Sequence, residues 1–222
     1  MYKHVLRPLL AAGLALAFLC EPASALEPSN LYPHKQELKA YVDSGGYVND
    51  IATVALQANK YLVKRIVRGA KPGQKLAVVF DIDETTLSNL SHILDNDFSY
   101  VPKTWDGWVA EGRAPAIIPV QAVYETVVRA KVDVFFITGR RERDRPGTER
   151  NLREVGYETW TKIFFKPNDF TETTRAFKID MRRKLMADGY IIIANIGDQD
   201  SDLAGGYAER YFKLPNPFYI TK

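Results

Sequence analysis

The sequence has little of what several stabilising and catalytic strategies require. It holds one cysteine in 222 residues, and that residue, Cys20, falls in an N-terminal leader, so the chain beyond the leader has none. Disulfide frameworks, thiolate metal sites and cysteine nucleophiles are thereby excluded, and packing alone has to hold the fold. Charge of one sign is scarce too, with 30 Lys and Arg against 27 Asp and Glu, a net charge of +3. Nucleic-acid binders concentrate far more positive charge, so no nucleic-acid partner is expected. Hydrophobic residues make up 46% of the chain, which is too many for a disordered protein at so low a net charge. No repeat and no low-complexity tract appears. The one uninterrupted apolar run of any length, residues 9–19, is too short to span a bilayer, so no stable membrane insertion is expected.

What stands at the N-terminus reads as a leader. Lys3, His4 and Arg7 precede the apolar run, and Ala23-Ser24-Ala25 follows it with small residues where a signal peptidase cuts. A buried first helix would account for the apolar run but not for the order basic, apolar, small. The expectation is a signal peptide over residues 1–25, cleaved after Ala25. The product is an exported protein of residues 26–222, periplasmic or secreted.

Residues 33–69 read as two helices broken at Gly45-Gly46. Leu76-Ala77-Val78-Val79-Phe80 is then a continuous apolar run of strand length, as in a strand buried on both faces. Further strands are expected at 132–137, 163–165, 191–194 and, briefly, at Tyr211-Phe212. Between them lie helices: one opened by Pro119 with Val120, Val123, Tyr124, Val127 and Val128 at helical spacing, one over 145–155, and one over 173–187 carrying Phe177, Met181 and Leu185. Strands alternating with helices predict an α/β fold, a three-layer Rossmann-like core with a central parallel sheet and a helical N-terminal extension. Residues 91–116, polar and aromatic without a clear period, read as a small cap or lid on a single domain.

Ligands of a parallel sheet bind beyond the carboxyl ends of its strands, so polar chemistry should follow the apolar runs. It does. Asp81-Ile82-Asp83-Glu84-Thr85-Thr86 follows the first run, Thr138-Gly139-Arg140 the second, and Gly197-Asp198-Gln199-Asp200-Ser201-Asp202 the fourth. That many carboxylates in one pocket repel one another unless a cation shares it. Oxygen donors without thiolates select a hard ion, and Mg²⁺ is the natural choice for phosphate chemistry. An aspartate can attack phosphorus to form an aspartyl-phosphate, and a second group then protonates the leaving alcohol and deprotonates water. Two aspartates one residue apart supply both roles if the turn aims them inward. The phosphoryl oxygens need donors: the Thr138 hydroxyl, N–H groups after Asp81, and a lysine. Lys166, straight after the third strand, and Lys178, early in the helix 173–187, both qualify by position. Taken singly, Asp-x-Asp, Thr-Gly-Arg and Gly-Asp-Gln are ordinary loop sequences. In this order, each after a buried strand, they point to one site.

Val78-Val79-Phe80-Asp81-Ile82-Asp83-Glu84-Thr85 resembles the first motif of the haloacid dehalogenase (HAD) superfamily. Phe136-Ile137-Thr138-Gly139-Arg140 resembles its second, Lys178 with Arg182-Arg183-Lys184-Leu185 its third, and the stretch from Asn195 through Asp198 to Leu203 its fourth. Gly189-Tyr190 leading into Asn195-Ile196-Gly197-Asp198-Gln199, with Ser201-Asp202-Leu203, is similar to the class B acid phosphatase group. That group includes exported bacterial acid phosphatases and plant vegetative storage proteins. The resemblance, over residues 76–215, implies Asp81 as nucleophile and Mg²⁺ ligand, and Asp83 as general acid/base whose backbone carbonyl also reaches the metal. It implies phosphate binding by Thr138, Gly139 and Lys178, a metal ligand in Asp198, and in Asp202 an orienting group or further ligand. Dehalogenating relatives lack the second aspartate, so Asp83 favours phosphate esters.

The function expected is an exported Mg²⁺-dependent acid phosphatase acting on small phosphomonoesters. A narrower alternative is a 5′-nucleotidase or nicotinamide-mononucleotide phosphatase, with Tyr100, Trp105 or Trp108 stacking on a base rather than packing in the cap. A third is a catalytically silent storage or binding protein on the same fold, against which the retained pair Asp81 and Asp83 counts. The sequence carries no sign of oligomeric state.

Overall fold

The apolar runs become the strands of one sheet. The computed structural model describes residues 27–221, and from Tyr32 onward they form one compact unit. The expected signal peptide, residues 1–25, lies outside the described residues. Five strands, β1 (Lys75–Phe80), β2 (Asp133–Arg141), β3 (Lys162–Lys166), β4 (Tyr190–Gly197) and β5 (Tyr211–Lys213), pair in the order β3-β2-β1-β4-β5. Every pairing is parallel. All five carboxyl ends therefore lie along one edge, with β1 at the centre.

Alternation along each strand divides its side chains between two cores. Val78, Phe80, Val134, Phe136 and Ile196 face one side, with Ala58 and Leu62 of α2 (Gly46–Val67) and Val120 and Val127 of α5 (Ile118–Arg129). Ala77, Val79, Phe135, Ile137 and Ile192 face the other, with Phe177, Met181 and Leu185 of α7 (Thr174–Ala187). The register shifts between Ala77 and Val78, where Ile193 is the extra residue of β4, and Ile193 and Ala194 consequently join the same core. The layers are helix, sheet, helix. α1 (Leu31–Asp43) and α2 are the two expected N-terminal helices, separated at Gly45, whose φ of 77° is left-handed and costs glycine nothing.

Two features differ from the sequence reading. β2 does not stop at Ile137. After a register shift it pairs again at Arg141 with Lys166, so Thr138, Gly139 and Arg140 belong to the strand. Residues 91–116 are also more regular than their composition implies, forming α3 (Leu90–Asp95) and α4 (Pro102–Glu111). Pro102 opens α4 and Gly112, at φ 64°, ends it. Only Trp108 and Val109 of its ten residues are buried, too few to write a period. α4 packs on α6 (Arg145–Glu154) at Gly147, where a Cβ would lie 2.3 Å from the Val109 carbonyl oxygen. A last short helix, α8 (Asp200–Leu203), follows β4.

Candidate active site

The site begins where β1 ends. The Asp81 N–H still donates to the Ile196 carbonyl of β4 at 2.9 Å, which fixes Asp81 at the strand edge. Beyond it the chain coils tightly, the Ile82 carbonyl accepting the N–H groups of Thr86 at 2.8 Å and Leu87 at 2.9 Å. The Thr86 hydroxyl donates back to the Asp81 carbonyl at 2.5 Å. Glu84 takes φ 52°, a left-handed conformation disfavoured for any residue with a Cβ. Its carboxylate holds that turn by accepting from the Asn89 backbone and side chain and, at 2.7 Å, from the Tyr219 hydroxyl.

Opposite Asp81, β4 and α8 deliver Asp198 and Asp202. Carboxylate oxygens of Asp81, Asp198 and Asp202 lie within 4.8 Å of one another, and all three residues are buried. Asp202 fits so closely under β4 that a Cβ on Gly197 would fall 2.4 Å from its carboxylate. Asp198 is held on three sides, by Thr85 Oγ1 (3.1 Å), Gln199 Nε2 (2.6 Å) and Asn216 Nδ2 (2.7 Å). Lys178 comes from α7 and donates to Asp81 and, at 2.5 Å, to Asp202. Burial pulls the lysine toward the neutral amine, but Asp202 and Asp81 outweigh it and the net shift is upward. Burial also raises Asp81 well above the usual carboxylate range, with Asp202 adding to it and Lys178 opposing. Burial and Asp202 push Asp198 up to about 6.

Three buried carboxylates sharing one ammonium leave an excess of negative charge that a hard divalent cation would balance. The hydroxyl of Ser201, buried on the cavity wall, has no hydrogen-bond partner among the described residues. This donor set, all oxygen and partly uncompensated, fits Mg²⁺. The Asp83 carboxylate lies outside this cluster. It accepts from Arg140 Nη2 at 2.7 Å and Nε at 3.0 Å, and from Asn89 Nδ2 at 2.9 Å. Thr138 is fully buried, its hydroxyl oxygen accepting the Arg140 N–H at 3.0 Å, and Gly139 lines the cavity.

The expected aromatics separate. Tyr100, 72% exposed, and Trp105 line the cavity, with the Arg140 guanidinium 5.6 Å from the Trp105 ring centre. Trp108 is withdrawn from the wall, which corrects its candidacy as a stacking residue. It donates to Asn89 Oδ1 at 2.7 Å and stacks on His92, because its indole N–H needs a buried acceptor. The two lysines also separate: Lys178 reaches the carboxylates, whereas Lys166 donates to the Thr174 hydroxyl at 3.1 Å. Sequence reasoning missed Glu84, Asn89, Asn216 and Tyr219. The first two stand in or beside the first motif and were within reach. The last two come from a C-terminal segment with no motif.

A profile of the family described as HAD superfamily, subfamily IIIB (Acid phosphatase), matches residues 15–222. The chain belongs to this family. The phosphatase is accordingly a phosphomonoesterase with an α/β HAD fold. It is 34% identical to Acid phosphatase 1 of Solanum lycopersicum over 206 residues, 87% of this chain and 80% of that protein. It is 31% identical to Vegetative storage protein 1 of Arabidopsis thaliana over 147 residues, 64% of this chain and 54% of that one. The class C acid phosphatase from Bacillus anthracis shares the fold at a TM-score of 0.69 and 24% identity, over 84% of this chain and 86% of that one. Among the described residues no helix is long and apolar enough to cross a membrane.

Proposed function

We propose that the phosphatase is exported, requires Mg²⁺ and cleaves small phosphomonoesters through an aspartyl-phosphate on Asp81. The observation that carries this reading is Lys178, a buried ammonium bridging Asp81 and Asp202 within a cluster of three carboxylates. An Asp81 oxygen attacks phosphorus while Asp83, oriented by Arg140 and Asn89, gives a proton to the departing alkoxide. Asp83 then takes a proton from water, which attacks the phosphoryl group, releases inorganic phosphate and regenerates Asp81. Lys178, the Thr138 hydroxyl and the Gly139 N–H balance charge on the phosphoryl oxygens. Mg²⁺, held by Asp81, Asp198 and the Asp83 carbonyl with Asp202 beside them, would add positive charge at those same oxygens. In this reading the cap is residues 91–116 of one domain, 26–222, and Tyr100 and Trp105, which line the cavity, meet the organic part of a substrate.

A second reading, a silent storage protein, draws on the similarity to an Arabidopsis vegetative storage protein. Retention of Asp81, Asp83 and Lys178 in hydrogen-bonded positions speaks against it. The test is a panel of phosphomonoesters offered to the chain beginning at Leu26, with and without Mg²⁺. Metal-dependent release of phosphate is expected, and its absence for every ester would favour the storage reading. Exported material should begin at Leu26 by intact mass, and a chain retaining Met1 would refute export.

A further inference from the structure

The cavity exceeds what one reacting phosphate requires, and its charge is unevenly divided. At about 580 Å³ it matches pockets that enclose whole drug-sized ligands. Two cations of the cavity are committed to carboxylates, Lys178 of α7 to Asp81 and Asp202, and Arg140 of β2 to Asp83. For a second pair, at the ends of β2 and β3, the balance reverses. Arg141 and Lys166 both line the cavity and are direct cross-strand partners. Adjacent strands stand about 4.8 Å apart, so two like charges are set side by side, a destabilising arrangement. Their hydrogen-bond partners are neutral. Arg141 Nη1 donates to the carbonyls of Pro167 (3.0 Å) and Asn168 (2.5 Å), and Lys166 Nζ donates to the Thr174 hydroxyl.

Among the described residues neither side chain forms an ion pair with a carboxylate. Asp144 shares the wall, but its carboxylate accepts the Arg141 backbone N–H at 2.8 Å and faces Arg143 Nε at 3.7 Å. Arg143 also meets Asp106 at 3.3 Å, so its charge is matched and those of Arg141 and Lys166 are not. Burial, with repulsion from Arg141 and Lys178, lowers the pKa of Lys166, as crowding of cations without an anion requires.

We propose that Arg141 and Lys166 bind a second phosphate group carried by the substrate, making small bisphosphorylated molecules the preferred class. This rests on the monoesterase reading and names the substrate of that same site. Two adjacent cations and a hydroxyl match a phosphate dianion better than a single carboxylate. Between the pairs Ile137–Phe164 and Arg141–Lys166, β2 uses four residues where β3 uses two, so Arg141 lies about 7 Å beyond Ile137 at about 3.3 Å per residue of β3. At the ends of β2 and β3, away from the end of β1 that carries Asp81, these two cations suit a phosphate on another position of the same carbon skeleton. Water enters at the phosphate over Asp81, inorganic phosphate and the alcohol leave, and the second phosphate stays on the product.

The test compares kcat/KM for fructose 1,6-bisphosphate and glucose 1,6-bisphosphate with their monophosphates, using p-nitrophenyl phosphate as a control, all with Mg²⁺. At least one bisphosphate should exceed the better of its monophosphates by about tenfold or more, the scale of a charge-assisted contact, beyond a statistical factor of two. That ratio should shrink as ionic strength rises. It should fall by about threefold or more in Lys166→Gln and in Arg141→Gln, and survive in Lys166→Arg. Ratios of two or less for both sugars, with p-nitrophenyl phosphate hydrolysed, overturn the inference alone. Ratios unchanged in both glutamine variants also overturn it. No turnover of any ester, control included, fails the monoesterase reading itself. Should a variant not fold, the wild-type ratio and its salt dependence still decide.

Discussion

Lys178 and Asp83 have different parts in the proposed mechanism and should fail differently when replaced. Lys178 is 3% exposed and its partners Asp81 and Asp202 are buried with it, so its removal leaves those two carboxylates without an ion-pair partner among the described residues. Lys178→Ala is expected to cost about 2–4 kcal/mol of transition-state stabilisation, as for other lost charge-stabilising donors. Steady-state kinetics, with circular dichroism to show that the variant folds, would check it. Asp81→Asn should abolish the phosphoenzyme altogether, whereas Asp83→Asn should slow both its formation and its breakdown, least for esters with good leaving groups. Trapped phosphate found on any residue other than Asp81 would refute the assignment. Both aspartates are legible from their position after a buried strand. The choice between Lys166 and Lys178 is not, because helical spacing places Lys178 only one residue off the stripe of Phe177, Met181 and Leu185. Which way that lysine reaches depends on how α7 lies across the sheet.

Two elements that carry no recognisable motif support the site from outside it. The first is the contact of α4 with α6. A side chain on Gly147 would meet the backbone of Val109, which cannot swing aside as the end of a flexible side chain can. Gly147→Ala is expected to lower stability by about 1–3 kcal/mol, the range for overpacking a close contact, and a thermal melt would read it. The second is the segment after β5. Asn216 donates to Asp198, and Tyr219 donates to Glu84, so a stretch remote in sequence orients one proposed metal ligand and braces the turn beside the others. Partners that orient a metal ligand commonly contribute 10- to 100-fold in affinity. Asn216→Ala should therefore raise the Mg²⁺ concentration needed for half-maximal thermal stabilisation by about tenfold. An unchanged titration would show that Asp198 keeps its position without Asn216. These contacts leave no trace in hydrophobic periodicity, since they join single polar atoms across the fold.

At the scale of the whole molecule, the proposed metal site draws its carboxylates from the ends of β1 and β4 and from α8, segments that converge only when the sheet is assembled. A cation bound there binds the folded chain and not the unfolded one, and so stabilises it by mass action. The melting temperature should rise with Mg²⁺ concentration, and excess EDTA should reverse the rise and abolish turnover. Full activity in EDTA would contradict the metal requirement. The sequence alone determined which segments are strands, that they run parallel, and hence that Asp81, Asp83, Thr138 and Asp198 share one edge. Apolar runs of strand length alternating with amphipathic helices admit few other arrangements, and a parallel sheet gathers its carboxyl ends by geometry. Only the tertiary structure decided which polar groups at that edge touch. It seated Lys178 on Asp81 and Asp202, turned Trp108 inward to Asn89, extended β2 until Arg141 met Lys166, and brought Asn216 and Tyr219 back from the C-terminal segment. Those outcomes depend on packing between residues as many as 135 positions apart, and no local pattern of residues encodes contacts at that separation.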